Sequence, residues 1–176
     1  MIDSGREIAL SPHPSCAPAS IHAVSVRVQT GADGLALAYR LRGDPTGLRW
    51  LPAQAGERRD ELWRHTCCEA FLREPEAVAY QEWNFAPSGA WACYRFDDDR
   101  SGMAPAAVAA PPIVTECDSR ELRVETRLSR PRGATPLRLA LAVVIEAADG
   151  GVSYWAVRHA PGRPDFHHPD NFALEL

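Results

Sequence analysis

The sequence contains no lysine; every one of its 19 basic residues is an arginine. That absence removes the amine an enzyme would use for a Schiff base or as a general base. The arginines form no stripe and the net charge is −4, so nucleic acid is excluded as an expected partner. No apolar run approaches the roughly eighteen residues of a membrane-spanning helix. The opening stretch, MIDSGREIALSPHPSCAPAS, carries no apolar core of the kind that directs secretion. A cytoplasmic protein with no membrane partner is the expectation.

Other signatures are missing too. There is no GxSxG, no Walker loop, no GxGxxG after a strand and no HExxH, so no ready-made catalytic set is visible. The five cysteines contain no CxxC pair, which leaves a zinc knuckle or a thioredoxin-type motif unsupported. Reduced, mostly buried thiols are expected. Cys67 and Cys68 are neighbours on a strand-like stretch, so their side chains should point to opposite faces.

What is present is period two. Hydrophobic residues make up 45% of the chain, the share of an ordinary globular protein, and they alternate with polar ones between short turns. Ile21 to Thr30 and Leu35 to Gly43 flank a GADG turn as one hairpin. AYQEWNF and AWACYRF flank Ala86-Pro87-Ser88-Gly89 as a second. IVTEC and ELRVETRLS, then LRLALAVVIEA and VSYWAVRH, supply two more, and FALEL closes the chain. Helix is confined to one turn around Arg58 to Arg64. The expected fold is therefore all-β, an antiparallel sandwich or barrel. Residues 1–20 read as a partly irregular N-terminal tail and 21–176 as a single domain.

Three stretches could carry chemistry. In LWRHTCCEAFL a continuous strand would put Trp63, His65, Cys67, Glu69 and Phe71 on one face. A ring for stacking, a switchable donor and a carboxylate then share one wall, which suits a polar ring such as a sugar. The competing reading has Trp63 and Phe71 in the core and Glu69 paired with an arginine. In YQEWNF, Glu82 and Asn84 share a face with Tyr80 and could anchor ligand hydroxyls. The run Asp97 to Asp99 lacks the spaced ligands of a calcium loop and reads as a solvated turn. Last, His159, Asp165, His167 and His168 could together hold a metal with an open position. Their spacing matches no established zinc pattern, and a loop histidine bonded to a carboxylate is the competing reading.

The segments ELWRHTCCEAFL, YQEWNFAPSGAWACYRFDDDRSGM and SYWAVRHAPGRPDFHHPDNFALEL resemble the DOMON-like group of bacterial proteins, related to family 9 carbohydrate-binding modules. The resemblance covers nearly all of the chain after about residue 20, and is specific enough to suggest a branch sometimes found beside a peptidoglycan-precursor reductase. It implies an immunoglobulin-like β-sandwich and a functional link to a cell-wall precursor enzyme. In the sugar-binding relatives a tryptophan on this strand stacks on the sugar and a glutamate six residues later bonds its hydroxyls. Trp63 and Glu69 stand at that spacing, and Trp155 is the candidate second clamp. Heme-binding relatives use a methionine and a histidine as axial ligands, and here the only methionines are Met1 and Met103. Thr66 replaces an aspartate of the family pattern.

The leading expectation is a non-catalytic module for a small polar ligand, a sugar or amino sugar, held by Trp63, His65, Glu69, Glu82, Asn84 and Trp155. No cofactor is expected. The alternatives are a metal-dependent enzyme or metalloprotein using His159, Asp165, His167 and His168, or a heme-binding domain.

Overall fold

A computed structural model describes residues 5–16, 20–31, 34–129 and 136–176. Thirteen strands run through them: β1 (Arg6–Pro12), β2 (Ile21–Gly31), β3 (Gly34–Gly43), β4 (Leu48–Arg49), β5 (Cys67–Arg73), β6 (Tyr80–Phe85), β7 (Trp91–Phe96), β8 (Ala104–Pro105), β9 (Ile113–Cys117), β10 (Glu121–Leu128), β11 (Arg138–Ala147), β12 (Val152–Ala156) and β13 (Leu174–Glu175). The described helix is limited to three short 3-10 turns, at Pro45–Gly47, Leu62–Arg64 and Pro169–Asn171. The chain is all-β, as the period-two pattern indicates, and the four expected hairpins all form. The centre of the GADG turn lies outside the described residues.

The strands make one antiparallel path, β8-β7-β6-β5-β11-β12-β1-β2-β3-β10-β9, with β4 and β13 attached to β11. A sandwich implies two packed sheets; here β1 joins the two halves into one path. Its residues Arg6 to Leu10 pair with β2, and Ser11 and Pro12 then pair with Ala156 and Trp155 of β12. Within residues 1–20, read as a partly irregular tail, Arg6–Pro12 is thus a strand. Its Ile8 and Leu10 alternate into the core, a pattern too short to stand out between prolines and polar residues.

The path curls so that its two halves face each other over one core. Val26, Tyr39, Leu41 and Val124 come from one half, and Cys68, Trp83, Phe85, Leu141 and Trp155 from the other. Tyr39 crosses this interface, its hydroxyl donating to the Glu69 carbonyl at 2.9 Å. A buried hydroxyl with that partner avoids the cost of an unmade bond.

The β5–β6–β7–β11–β12 half is covered on its outer face as well. There Leu62, Cys67, Phe71, Tyr94, Ala142, Phe166 and Phe172 form a second, smaller cluster. Burial on both faces explains why β5 and β6 are almost continuously buried, whereas β10 alternates. Cys67 faces the smaller cluster and Cys68 the main core, on opposite faces as expected, and all five cysteines are free thiols.

Candidate functional site

The outer face of β5 and β6 carries the polar groups. Strand alternation puts Cys67, Glu69 and Phe71 on that face of β5, and Tyr80, Glu82 and Asn84 on that face of β6. Register pairs Glu69 with Asn84 and Phe71 with Glu82, so the two carboxyls sit diagonally across adjacent strands. Both are buried, with 2% and 4% of their surface exposed. Above them opens a cleft of about 330 Å³ whose lining includes Trp63, Glu69, Glu82, Arg100, Tyr154 and His167. Aromatic rings stand at the rim and carboxyls at the floor.

Each polar group has a definable state. Asn84 donates its amide to Glu82 Oε1 at 2.8 Å. The Arg100 backbone N–H donates to the Tyr80 hydroxyl at 3.3 Å, and the same hydroxyl is hydrogen-bonded to His167 Nδ1 at 2.7 Å. His167 Nε2 faces Glu82 Oε2 at 3.6 Å, too long for a strong hydrogen bond. Burial, with the Arg100 charge adding to it, pushes the His167 pKa down to about 4. Burial pushes Glu82 up to about 7, against the pull of Asn84 and Arg100. The two therefore meet as neutral imidazole and carboxyl in mildly acidic solution, not as an ion pair. Glu69 is raised as well, by burial first and by Glu82 second. Its Oε1 is buried and makes no hydrogen bond.

Arg100 is held in place from two sides. It sits at φ 49° in the turn after β7, a left-handed conformation uncommon for an arginine. Gly102 has φ 66°, and a Cβ there would lie 2.3 Å from the Asp97 carboxylate. The guanidinium bonds Asp165 Oδ1 at 2.6 and 3.2 Å, and the same oxygen accepts from the His167 backbone N–H at 3.0 Å. One aspartate thus positions both the arginine and the histidine of the cleft.

The structure sorts the sequence candidates. Trp63, Glu69 and Glu82 come together, and fully buried Asn84 supports them from beneath. Trp63 is not on a strand, because Leu62–Arg64 is a 3-10 turn. It still reaches the cleft, half-buried, with its ring edge-on to Tyr94 at 5.6 Å. The intervening turn breaks the alternation, and His65 instead bonds Glu146 at 2.5 Å away from the cleft. Trp155 faces the main core, its indole N–H donating to Ser153 at 3.0 Å. The adjacent Tyr154 lines the cleft in its place, since neighbouring strand residues face opposite ways.

The four proposed metal ligands do not converge, and no group of three or more acidic, histidine or cysteine side chains suited to a metal occurs among the described residues. His159 bonds the Ser11 carbonyl at 2.8 Å, and His168 accepts from the Asp170 N–H to cap the last 3-10 turn. Asp165 pairs with Arg100, and only His167 enters the cleft. Met103 lines the same cleft as His167, whose Nδ1 is hydrogen-bonded to the Tyr80 hydroxyl. Arg100 and Tyr154 were not marked by the sequence. A larger, mainly apolar cavity of about 620 Å³ lies elsewhere, between Leu72, Trp83, Val108 and Leu137. It lacks the converging buried carboxyls of the cleft.

No family model and no curated protein matches the chain. Solved structures match it in fold. A Bacteroides uniformis protein described as carbohydrate-binding superposes with a TM-score of 0.69 at 11% identity, over 95% of this chain and 84% of its own. A family 9 carbohydrate-binding module from Caldicellulosiruptor kristjanssonii, in complex with cellotriose, gives 0.56 at 15% identity over 92% and 76%. A module of that family from the same organism, in complex with glucose, gives 0.52 at 17% identity over 84% and 72%. At these identities the likeness is one of fold.

Proposed function

We propose that the chain is a non-catalytic sugar-binding module whose ligand occupies the cleft between Trp63, Tyr154, Glu69, Glu82, Arg100 and His167. The observation that carries this reading is the pairing of half-buried aromatic rings with a floor of hydrogen-bonding groups, one of which, the Glu69 carboxyl, has an oxygen without a partner. A pyranose presents an apolar ring face and a fringe of hydroxyls, and needs both kinds of contact. The carbohydrate-binding descriptions of the structural neighbours support the same reading. The two facing halves of the curled sheet, in turn, support classing the fold as an immunoglobulin-like sandwich of the DOMON-like kind.

Calorimetric titration of the full chain with neutral and amino monosaccharides and their dimers tests the proposal. Binding should be one-to-one, and Trp63→Ala should weaken it at least about tenfold, or roughly 1.4 kcal/mol. Its melting temperature should fall much less than for a core tryptophan such as Trp155→Ala, where truncation costs about 3–5 kcal/mol. Absence of any sugar binding, or affinity untouched by Trp63→Ala, would overturn it.

A further inference from the structure

The cleft floor is short of positive charge. Two carboxyls, Glu69 and Glu82, are buried there side by side. The single guanidinium lining the cleft is engaged with Asp165 through two hydrogen bonds. His167 is held neutral by burial, with the Arg100 charge adding to it. Asn84 supplies a neutral amide, which donates to Glu82. Glu69 Oε1 receives nothing. The chain has no lysine anywhere, so no side-chain ammonium can stand between the two carboxyls.

From this we infer that the ligand brings the missing cation: the site takes a sugar carrying a protonated amine, whose ammonium sits against Glu69 and Glu82. This rests on the sugar-binding reading and narrows it. An ammonium group donates three hydrogen bonds and would satisfy the unpaired Glu69 oxygen while leaving Glu82 its Asn84 partner. A neutral hydroxyl can donate one bond but does nothing for two adjacent buried carboxyls, which can then ionise only against each other's charge. A cation lowers the pKa of both. Each carboxyl that holds a proton in the free protein gives it to solvent when the ammonium arrives, and the bound ammonium keeps its own protons. Binding of an amino sugar therefore releases protons, and binding of a neutral sugar does not.

The test is calorimetry on the full chain in slightly acidic solution, using glucosamine, galactosamine, glucose, galactose and N-acetylglucosamine, with cyclohexylamine as an amine lacking a sugar ring. Each titration is run in two buffers of different ionisation enthalpy. We expect an amino sugar to bind at least tenfold more tightly than its neutral parent and its N-acetyl form. Its apparent enthalpy should change with the buffer, in the direction of proton release. Glu69→Gln should bring the ratio of amino to neutral sugar affinity close to one. Equal affinity for glucosamine and glucose, or an enthalpy independent of buffer, overturns the cation proposal and leaves the sugar-binding reading standing. Cyclohexylamine binding in the absence of any sugar binding overturns the sugar reading and leaves a cation site. If nothing in the panel binds, both fall. Should Glu69→Gln fail to fold, the buffer dependence of the unaltered protein still decides the matter.

Discussion

At the level of single residues the site is governed by desolvation. Glu82 is held by burial at a pKa of about 7, above the 4.5 of an ordinary glutamate. A carboxyl with a raised folded pKa contributes its stability fully below the unfolded value and loses it as pH rises through the folded one. His167 works in the opposite sense. With its pKa depressed to about 4, it makes stability rise with pH until the unfolded imidazole has titrated. The two trends overlap and oppose each other, and the raised Glu69 adds to the Glu82 trend. Glu82→Gln removes one of them. The melting temperature of this variant, relative to the parent, should climb across the window from 4.5 to about 7 and then level off. The gap should reach a size on the order of 2–4 kcal/mol. Thermal melts of ligand-free protein at a series of pH values give the answer, and a gap that is constant or narrows with pH would show that Glu82 is ionised throughout.

Among the elements, β1 has the largest consequence for its length. It pairs with β2 along five residues and with β12 along two, and so connects the two halves of the sheet. Leu10 is 5% exposed and belongs to the main core. Leu10→Ala should cost about 2–5 kcal/mol in denaturant unfolding, whereas Glu7→Ala, on the exposed face of the same strand, should stay within about 0.5 kcal/mol. A Leu10 effect no larger than the Glu7 one would mean that the strand is not held in solution. The same element shows where sequence reading reaches its end. Long alternating runs such as β2, β3 and β10 were legible because one of their faces is wet. β1 was not, because seven residues ending in proline give alternation too little length. The candidate site was legible in part for the same reason: Glu69, Glu82 and Asn84 lie on true strands, where period two assigns a face. Trp63 lies in a 3-10 turn and His65 caps its end, and there the period is three and facing cannot be extrapolated into β5. Trp155 and Tyr154 differ by one position, and alternation alone does not say which of the two faces the cleft. Arg100 depends on a left-handed turn and on Asp165, 65 residues further along the chain, neither of which leaves a local pattern.

For the molecule as a whole, the two hydrophobic clusters on either side of one half-sheet should differ in how easily they open. The main core lies between hydrogen-bonded strands, so reaching it requires the sheet to come apart. The smaller cluster is closed over partly by irregular chain around Leu62 and around Phe166 to Phe172, tied down by bonds such as Arg100 to Asp165. Segments of this kind detach at a lower free energy than the sheet they cover. The thiols report on both sides. Cys67 lies beneath the cover, with its Sγ 3.5 Å from Asn84 Oδ1, while Cys68 and Cys93 face the main core. Burial raises the pKa of all three, and that of Cys93 to about 12, so none reacts until it is exposed. In native conditions Cys117, which is exposed, and Cys16, which is partly so, should alkylate first. Cys67 should follow by partial opening of the cover, and Cys68 and Cys93 should react only at the rate of global unfolding. A sugar in the cleft bridges the cover to the strands, so it should slow Cys67 selectively, by the factor 1 + [L]/Kd when opening abolishes binding. Pulsed alkylation resolved by fragment mass spectrometry distinguishes the adjacent Cys67 and Cys68. Equal rates at these two positions, with and without ligand, would mean that cover and core open as a single unit.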